Sequence, residues 1–141
     1  MIANAKPLPA VDETSAGYWE ATARGELALP RCSVCRQFTI PPTIVCPACG
    51  TTEPNFTYVP VDGDGTVRSW TLVRDAFLPG FADDLPYVLV DVELDAQSQL
   101  RMIGRFTDGP DSPIRIGDRV TVTFDTIADG VAVPSFTRSP R

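Results

Sequence analysis

Apolar positions along this chain follow two different periods. Over residues 12–26 they fall at helical spacing, with Trp19 and Ala23 on one face and Tyr18 and Thr22 beside them. Asp12, Glu13, Thr14 and Ser15 supply a helix start, and Arg24-Gly25 supplies a stop. From Phe56 onward the period is two, the mark of half-buried strands. Strands are expected at Phe56–Val61, Thr66–Arg74, Tyr87–Leu94, Gln99–Phe106, Arg119–Thr126 and Val131–Val133. The turns at Asp62-Gly63-Asp64-Gly65 and Asp129-Gly130 separate them. Short strands, tight turns and no intervening helix indicate a small closed barrel, and a five-stranded OB-type barrel fits best.

Between helix and barrel the pattern gives way to cysteines. Cys32-Ser-Val-Cys35 and Cys46-Pro-Ala-Cys49 use all four in the chain. Each Cys-x-x-Cys turn aims two sulfurs at one point, and two such turns close a tetrahedral four-thiolate site. Gly50 suits the end of the second turn, and Pro41-Pro42 suits a bend rather than a helix. Leu27 and Leu29 lead in, Phe38 and Ile40 lead away, and both stretches read as short ribbon strands. One structural zinc ion is the expected occupant. Iron is chemically possible with the same sulfurs, and local disulfides or a redox pair fit the spacing less well. The units expected are a flexible arm at 1–13, a helix plus ribbon at 14–55 and a barrel at 56–141.

Composition narrows the chemistry. The chain of 141 residues carries a net charge of −6 and a pI near 4.5. A polyanion ligand needs cationic neutralisation, which weakens the nucleic-acid reading that a ribbon and an OB barrel otherwise invite. No run is long and apolar enough to span a membrane, and no targeting segment is recognisable. A soluble, cytoplasmic protein is therefore expected. Histidine is absent, and Lys6 is the single lysine. With the thiols committed to metal, histidine-based catalysis is excluded and autonomous enzyme chemistry is hard to build.

Two further stretches could touch a ligand or partner. Residues 75–86 form one long connection carrying Phe77, Leu78, Phe81 and Leu85, either a plug for the barrel end or an apolar lid. On the strand before it, strict alternation puts Arg68, Trp70, Leu72 and Arg74 on one face. Guanidinium groups beside a flat ring suit a phosphate-bearing nucleotide, and equally a solvated strand. Candidate ligand contacts are thus Arg68, Trp70, Arg74, Phe77 and Phe81, and candidate partner contacts are Tyr18 and Trp19. Asp91 and Glu93 share a face and read as surface charge.

An ordered set of motifs carries a resemblance. Tyr18-Trp19-Glu20, Gly25-Glu-Leu, Arg31-Cys32-x-x-Cys35, Pro41-Pro42, Cys46-Pro-x-Cys49-Gly50, Gly63-x-Gly65-Thr66-Val67, Pro86-Tyr87-Val88, Glu93-Leu94 and Gly117-Asp118-x-Val120 occur in that order. Over residues 14–136 the chain resembles the acyl-CoA-associated OB-fold family, whose members carry an N-terminal helix and a rubredoxin-like zinc ribbon. It departs from the family at Asp95-Ala96-Gln97-Ser98, which lacks the glycine usual there. The resemblance implies a non-catalytic accessory subunit, assembling with a thiolase-like enzyme or lipid-transfer-type aldolase in fatty-acyl or steroid side-chain degradation. It implies a hetero-oligomer and zinc on the four cysteines, and gives no acyl-CoA contacts residue by residue. The alternative is a stand-alone acyl-CoA or nucleotide-binding module. A nucleic-acid-binding ribbon–OB protein comes after both.

Overall fold

A computed structural model describes residues 6–140. Helix α1 (Ala16–Ala23) is followed by β1 (Leu27–Arg31), the cysteine loops, and β2 (Thr57–Val61). Then come β3 (Asp64–Val73), β4 (Tyr87–Leu94), β5 (Arg101–Phe106), β6 (Arg119–Ala128) and β7 (Val131–Arg138). Strands β1 and β2 form a two-stranded antiparallel sheet, and the other five close a barrel in the order β3-β4-β5-β7-β6. All its neighbours are antiparallel except β5 and β7, which run parallel. This is the mainly β, OB-type architecture that the period-two pattern indicates.

The clearest correspondence is β4, where Val88, Val90, Val92 and Leu94 are buried and the residues between them are not. These pack with Val67, Leu100, Met102, Phe106, Val120 and Phe136 in one core. Leu27 and Leu29 of β1 belong to that same core, and Tyr18 of α1 packs against it. Helix, ribbon strand and barrel thus share one hydrophobic interior. Gly65 is required by close packing: a Cβ there would lie 2.6 Å from the Glu93 carbonyl oxygen and 2.5 Å from Val92.

Several details differ from expectation for identifiable reasons. The helix is shorter than 12–26, because Asp12 Oδ1 accepts from the Ser15 amide at 2.9 Å and the Thr14 hydroxyl at 2.8 Å. That folds residues 12–15 into a turn. The stop is as expected: Gly25 has φ +75°, Glu26 N–H bonds Ala21 C=O, and Gly25 N–H bonds Thr22 C=O, a Schellman motif. Strand β1 pairs with β2, whereas Phe38 makes only an isolated bridge to Arg31. Strand β7 runs on past Val133 to bury Phe136, despite Pro134. Its ladder to β5 begins only at Ser135, so the proline needs no amide on that side.

The arm expected at 1–13 lies partly outside the described residues. From Lys6 it follows the outer barrel wall, with Lys6 Nζ 2.7 Å from Asp84 Oδ2 and over the Phe81 ring at 5.5 Å.

Candidate metal centre and surrounding surfaces

The two Cys-x-x-Cys segments fold into matching knuckles. Arg36 N–H bonds Cys32 C=O at 2.9 Å, and Gly50 N–H bonds Cys46 C=O at 2.8 Å. The loops then close through Cys32 N–H to Gln37 C=O and Cys46 N–H to Thr51 C=O. Gly50 has φ +78°, the left-handed conformation expected of it. In the first knuckle the equivalent residue is Arg36, at φ +66°, a position where a side chain is strained.

These turns bring the four Sγ atoms within 4.8 Å of one another. Cys32 and Cys49 sulfurs are 3.9 Å apart, and Cys35 and Cys46 sulfurs are 3.7 Å apart. A tetrahedron with metal–sulfur bonds of about 2.3 Å has edges of about 3.8 Å, so the donor set fits a zinc ion. The spacings are far from a disulfide bond, and none of the four cysteines is disulfide-bonded. Burial tends to raise the Cys32 pKa, but the backbone amides of Cys35 and Val34 outweigh it and bring it to about 7. At Cys35 the Gln37 amide lowers the pKa, yet burial and the other sulfurs prevail and lift it to about 11. A dication among the four sulfurs would supply the positive charge that thiolate ligands require. With all four positions filled by protein, the site is structural, leaving no open position for water.

The strand face at Arg68 is not as alternation indicates. Register shifts between Val67 and Ser69, so Arg68 is an extra residue on β3. Past it, Trp70 pairs with the buried Val90 and Leu72 with Val88, while Arg68 binds Glu93 with Nη2 to Oε1 at 2.7 Å. Arg68 therefore points away from the Trp70 side. Strand β3 pairs with β6 only over Asp64–Thr66, so its far half is bonded on one edge, and Trp70 is exposed. Arg74 is exposed at the end of the strand. In the 75–86 connection, Phe77 is 94% exposed and Leu78 is exposed, while Phe81 stacks obliquely on Tyr87 at 6.4 Å. Ala82–Asp84 makes a 3-10 turn.

Tyr18 and Trp19 meet edge to face at 4.8 Å. Both are half-buried, and burial pushes the Tyr18 phenol pKa upward. Asp91 and Glu93 are paired with arginines, Asp91 with Arg101 at 2.6 Å.

The spacing-based reading missed a cluster beside the arm. Lys6 and Arg105 converge on Asp84 Oδ2 at 2.7 and 3.0 Å. Beside it lies a groove of about 430 Å³ between arm and outer barrel wall, lined by Leu8, Phe81, Leu89, Ile127 and Val133. The only hint in sequence was a lone lysine among prolines, with no marker of its distant partners. Among the described residues no helix is long and apolar enough to cross a membrane.

A closed four-thiolate ribbon sharing a core with an OB-type barrel defines a zinc-ribbon OB-fold protein. The chain belongs to the ChsH2 family. The rubredoxin-like zinc ribbon domain of ChsH2 matches residues 19–55, and its C-terminal OB-fold domain matches residues 58–125. A "Probable enoyl-CoA hydratase alpha subunit" of Thermomonospora curvata is 32% identical over 95 residues, which are 67% of this chain and 28% of that protein. The chain thus matches less than a third of that relative's length. Among solved structures, the "Ltp2-ChsH2(DUF35) aldolase" is similar with a TM-score of 0.77 and 27% identity, covering 92% of this chain and 98% of that one.

Proposed function

We propose that this chain is an accessory subunit of an acyl-CoA-processing enzyme. It would support assembly of a thiolase-like or lipid-transfer-type aldolase partner and border that partner's acyl-CoA site. The observation that carries this is the end-to-end likeness to a chain of the Ltp2-ChsH2(DUF35) aldolase, ribbon and barrel together. The relative titled an enoyl-CoA hydratase subunit supports the acyl-CoA connection. The residue inventory supports a supporting rather than catalytic part. Histidine is absent, the cysteines form the metal site, and Lys6 is ion-paired to Asp84. A steroid or fatty-acyl side chain is the substrate class, and the cytoplasm is the compartment.

Trp70, Arg74 and Phe77 are the surface proposed to face acyl-CoA, since all three are exposed on β3 and the connection after it. Arg68 and Phe81, engaged by Glu93 and Tyr87, would shape that surface from behind. The ribbon and α1, with Tyr18 and Trp19, are proposed to hold the partner.

The test is co-expression with lipid-transfer-type aldolase subunits of the thiolase superfamily, followed by light scattering and acyl-CoA cleavage assays. A hetero-oligomer that turns over substrate, with neither part active alone, is expected. Robust turnover by this chain alone, or no complex with any such subunit, would overturn the proposal.

A further inference from the structure

The ribbon's outer surface is unusual in a chain with 30 charged side chains. From Gln37 to Thr52 no residue carries a fixed charge outside the cysteine site, and Ile44 is 88% exposed, with Val45 and Ile40 also exposed. The two hydrogen-bonded knuckles, with Pro41 and Pro42 between them, restrain this stretch, so the apolar residues cannot readily fold inward. Large exposed apolar residues in a charge-poor stretch are the composition of an interface centre rather than of a solvated loop.

Beside Ile44 lies a groove of about 460 Å³, lined by Pro42, Ile44, Phe56, Tyr58, Gly17 of α1 and, from the turn before the helix, Glu13 and Thr14. Its walls are fixed to each other. The Tyr58 hydroxyl donates to the Thr14 carbonyl, and Gly17 lets the helix lie on the Tyr58 ring, where a Cβ would come within 2.4 Å. Glu13 is the one charged residue lining it, and it takes part in none of the ion pairs among the described residues. An apolar slot with one free carboxylate at its edge is complementary to an apolar anchor next to a cation.

We propose that the helix–ribbon groove is where the enzyme subunit docks, inserting an aliphatic or aromatic side chain between Ile44 and Tyr58 and setting a lysine or arginine against Glu13. This rests on the accessory-subunit reading and gives it a location. It also moves the expected contact from the Tyr18 ring, which packs on this chain's own core and does not line the groove, to Ile44 and Tyr58.

The experiment uses the zinc-loaded full chain and the aldolase subunit that co-assembles with it in the test above. Ile44→Glu and Glu13→Lys are compared with Ile116→Ser, an exposed residue outside every proposed contact, by titration calorimetry, with zinc content and melting temperature measured for each. Ile44→Glu should weaken association by about 30-fold or more, as loss of a central anchor does. Glu13→Lys should weaken it by about 10-fold in low salt and less in high salt. Ile116→Ser should bind like wild type, and a photo-crosslinker at position 44 should label the enzyme subunit. If wild type assembles and both groove variants bind equally tightly, this location is wrong while the accessory reading stands. If wild type forms no complex, both fall. If the chain alone is a dimer that Ile44→Glu splits, the groove holds a second copy and the docking proposal is overturned.

Discussion

The side-chain amide of Gln97 grips the main chain of Phe38 at both its polar groups. It accepts the Phe38 N–H at 2.8 Å and donates to the Phe38 carbonyl at 3.0 Å. Gln97 sits in the β4–β5 turn of the barrel, and Phe38 lies just past the first cysteine knuckle. The Asp95–Ser98 turn therefore fastens ribbon to barrel. Each such bond contributes about 1 kcal/mol net, and losing the amide strands two part-buried backbone groups. Gln97→Ala should cost about 1–3 kcal/mol in denaturant unfolding. A loss below about 0.5 kcal/mol would mean that water substitutes fully for the amide.

Metal removal should reach beyond the ribbon. Purified chain should hold about one zinc, and Cys35→Ser or Cys49→Ser should abolish binding. Because Leu27 and Leu29 lie in the barrel core, chelation should also weaken protection of barrel amides against hydrogen exchange. Unchanged protection in β4 after zinc removal would show the two parts to be energetically independent.

Arg36 offers a test in the stabilising direction. A non-glycine residue at φ +66° carries about 1–2 kcal/mol of strain, partly offset by glycine's greater unfolded freedom. Arg36→Gly should leave zinc-loaded stability unchanged or raise it by about 1 kcal/mol. A loss larger than that would assign the Arg36 side chain an interaction of its own.

Acid should loosen the arm. The Lys6 ammonium, then Arg105, holds the Asp84 carboxyl below its ordinary value of 3.8, against some desolvation. A carboxylate with a depressed folded pKa stabilises fully above its unfolded pKa, and that stability is lost as pH falls through the folded value. Asp95, held down by Arg119, behaves the same way. Melting temperature should therefore drop as pH falls below about 4, and Asp84→Asn should flatten part of that fall. Zinc release by thiolate protonation occurs in both proteins and cancels in the comparison. Identical acid profiles would show that the Lys6 contact contributes nothing.

At Gly65 the backbone leaves no room. The contact of 2.6 Å is with the Glu93 main chain, which cannot rotate aside as a side chain could. Gly65→Ala should destabilise by at least about 1–3 kcal/mol, the usual range for overpacking. Wild-type melting behaviour would mean that β3 can slide relative to β4.

What the sequence made legible follows from the range of each interaction. The knuckles are encoded in four consecutive positions apiece, and β4 in strict alternation, so both could be read locally. Arg68 could not, because its bulge depends on how β3 aligns with β4, and one added residue reverses every side chain after it. Lys6 and Gln97 act on partners 78 and 59 positions away, with no local pattern to announce them. The helix–ribbon groove is likewise assembled from three separated segments.

The shared interior of β1 and the barrel has a consequence for anyone building chimeras. A ribbon exchanged from a relative would bring foreign residues to positions 27 and 29, which belong to the same core as Val67, Val120 and Phe136. A clean graft would therefore transfer α1, β1, the knuckles and β2 together with the barrel residues they meet, or replace none of them. The seam between the two named domains is a boundary in sequence but not in packing, and recombination there should yield aggregates unless both sides come from one parent.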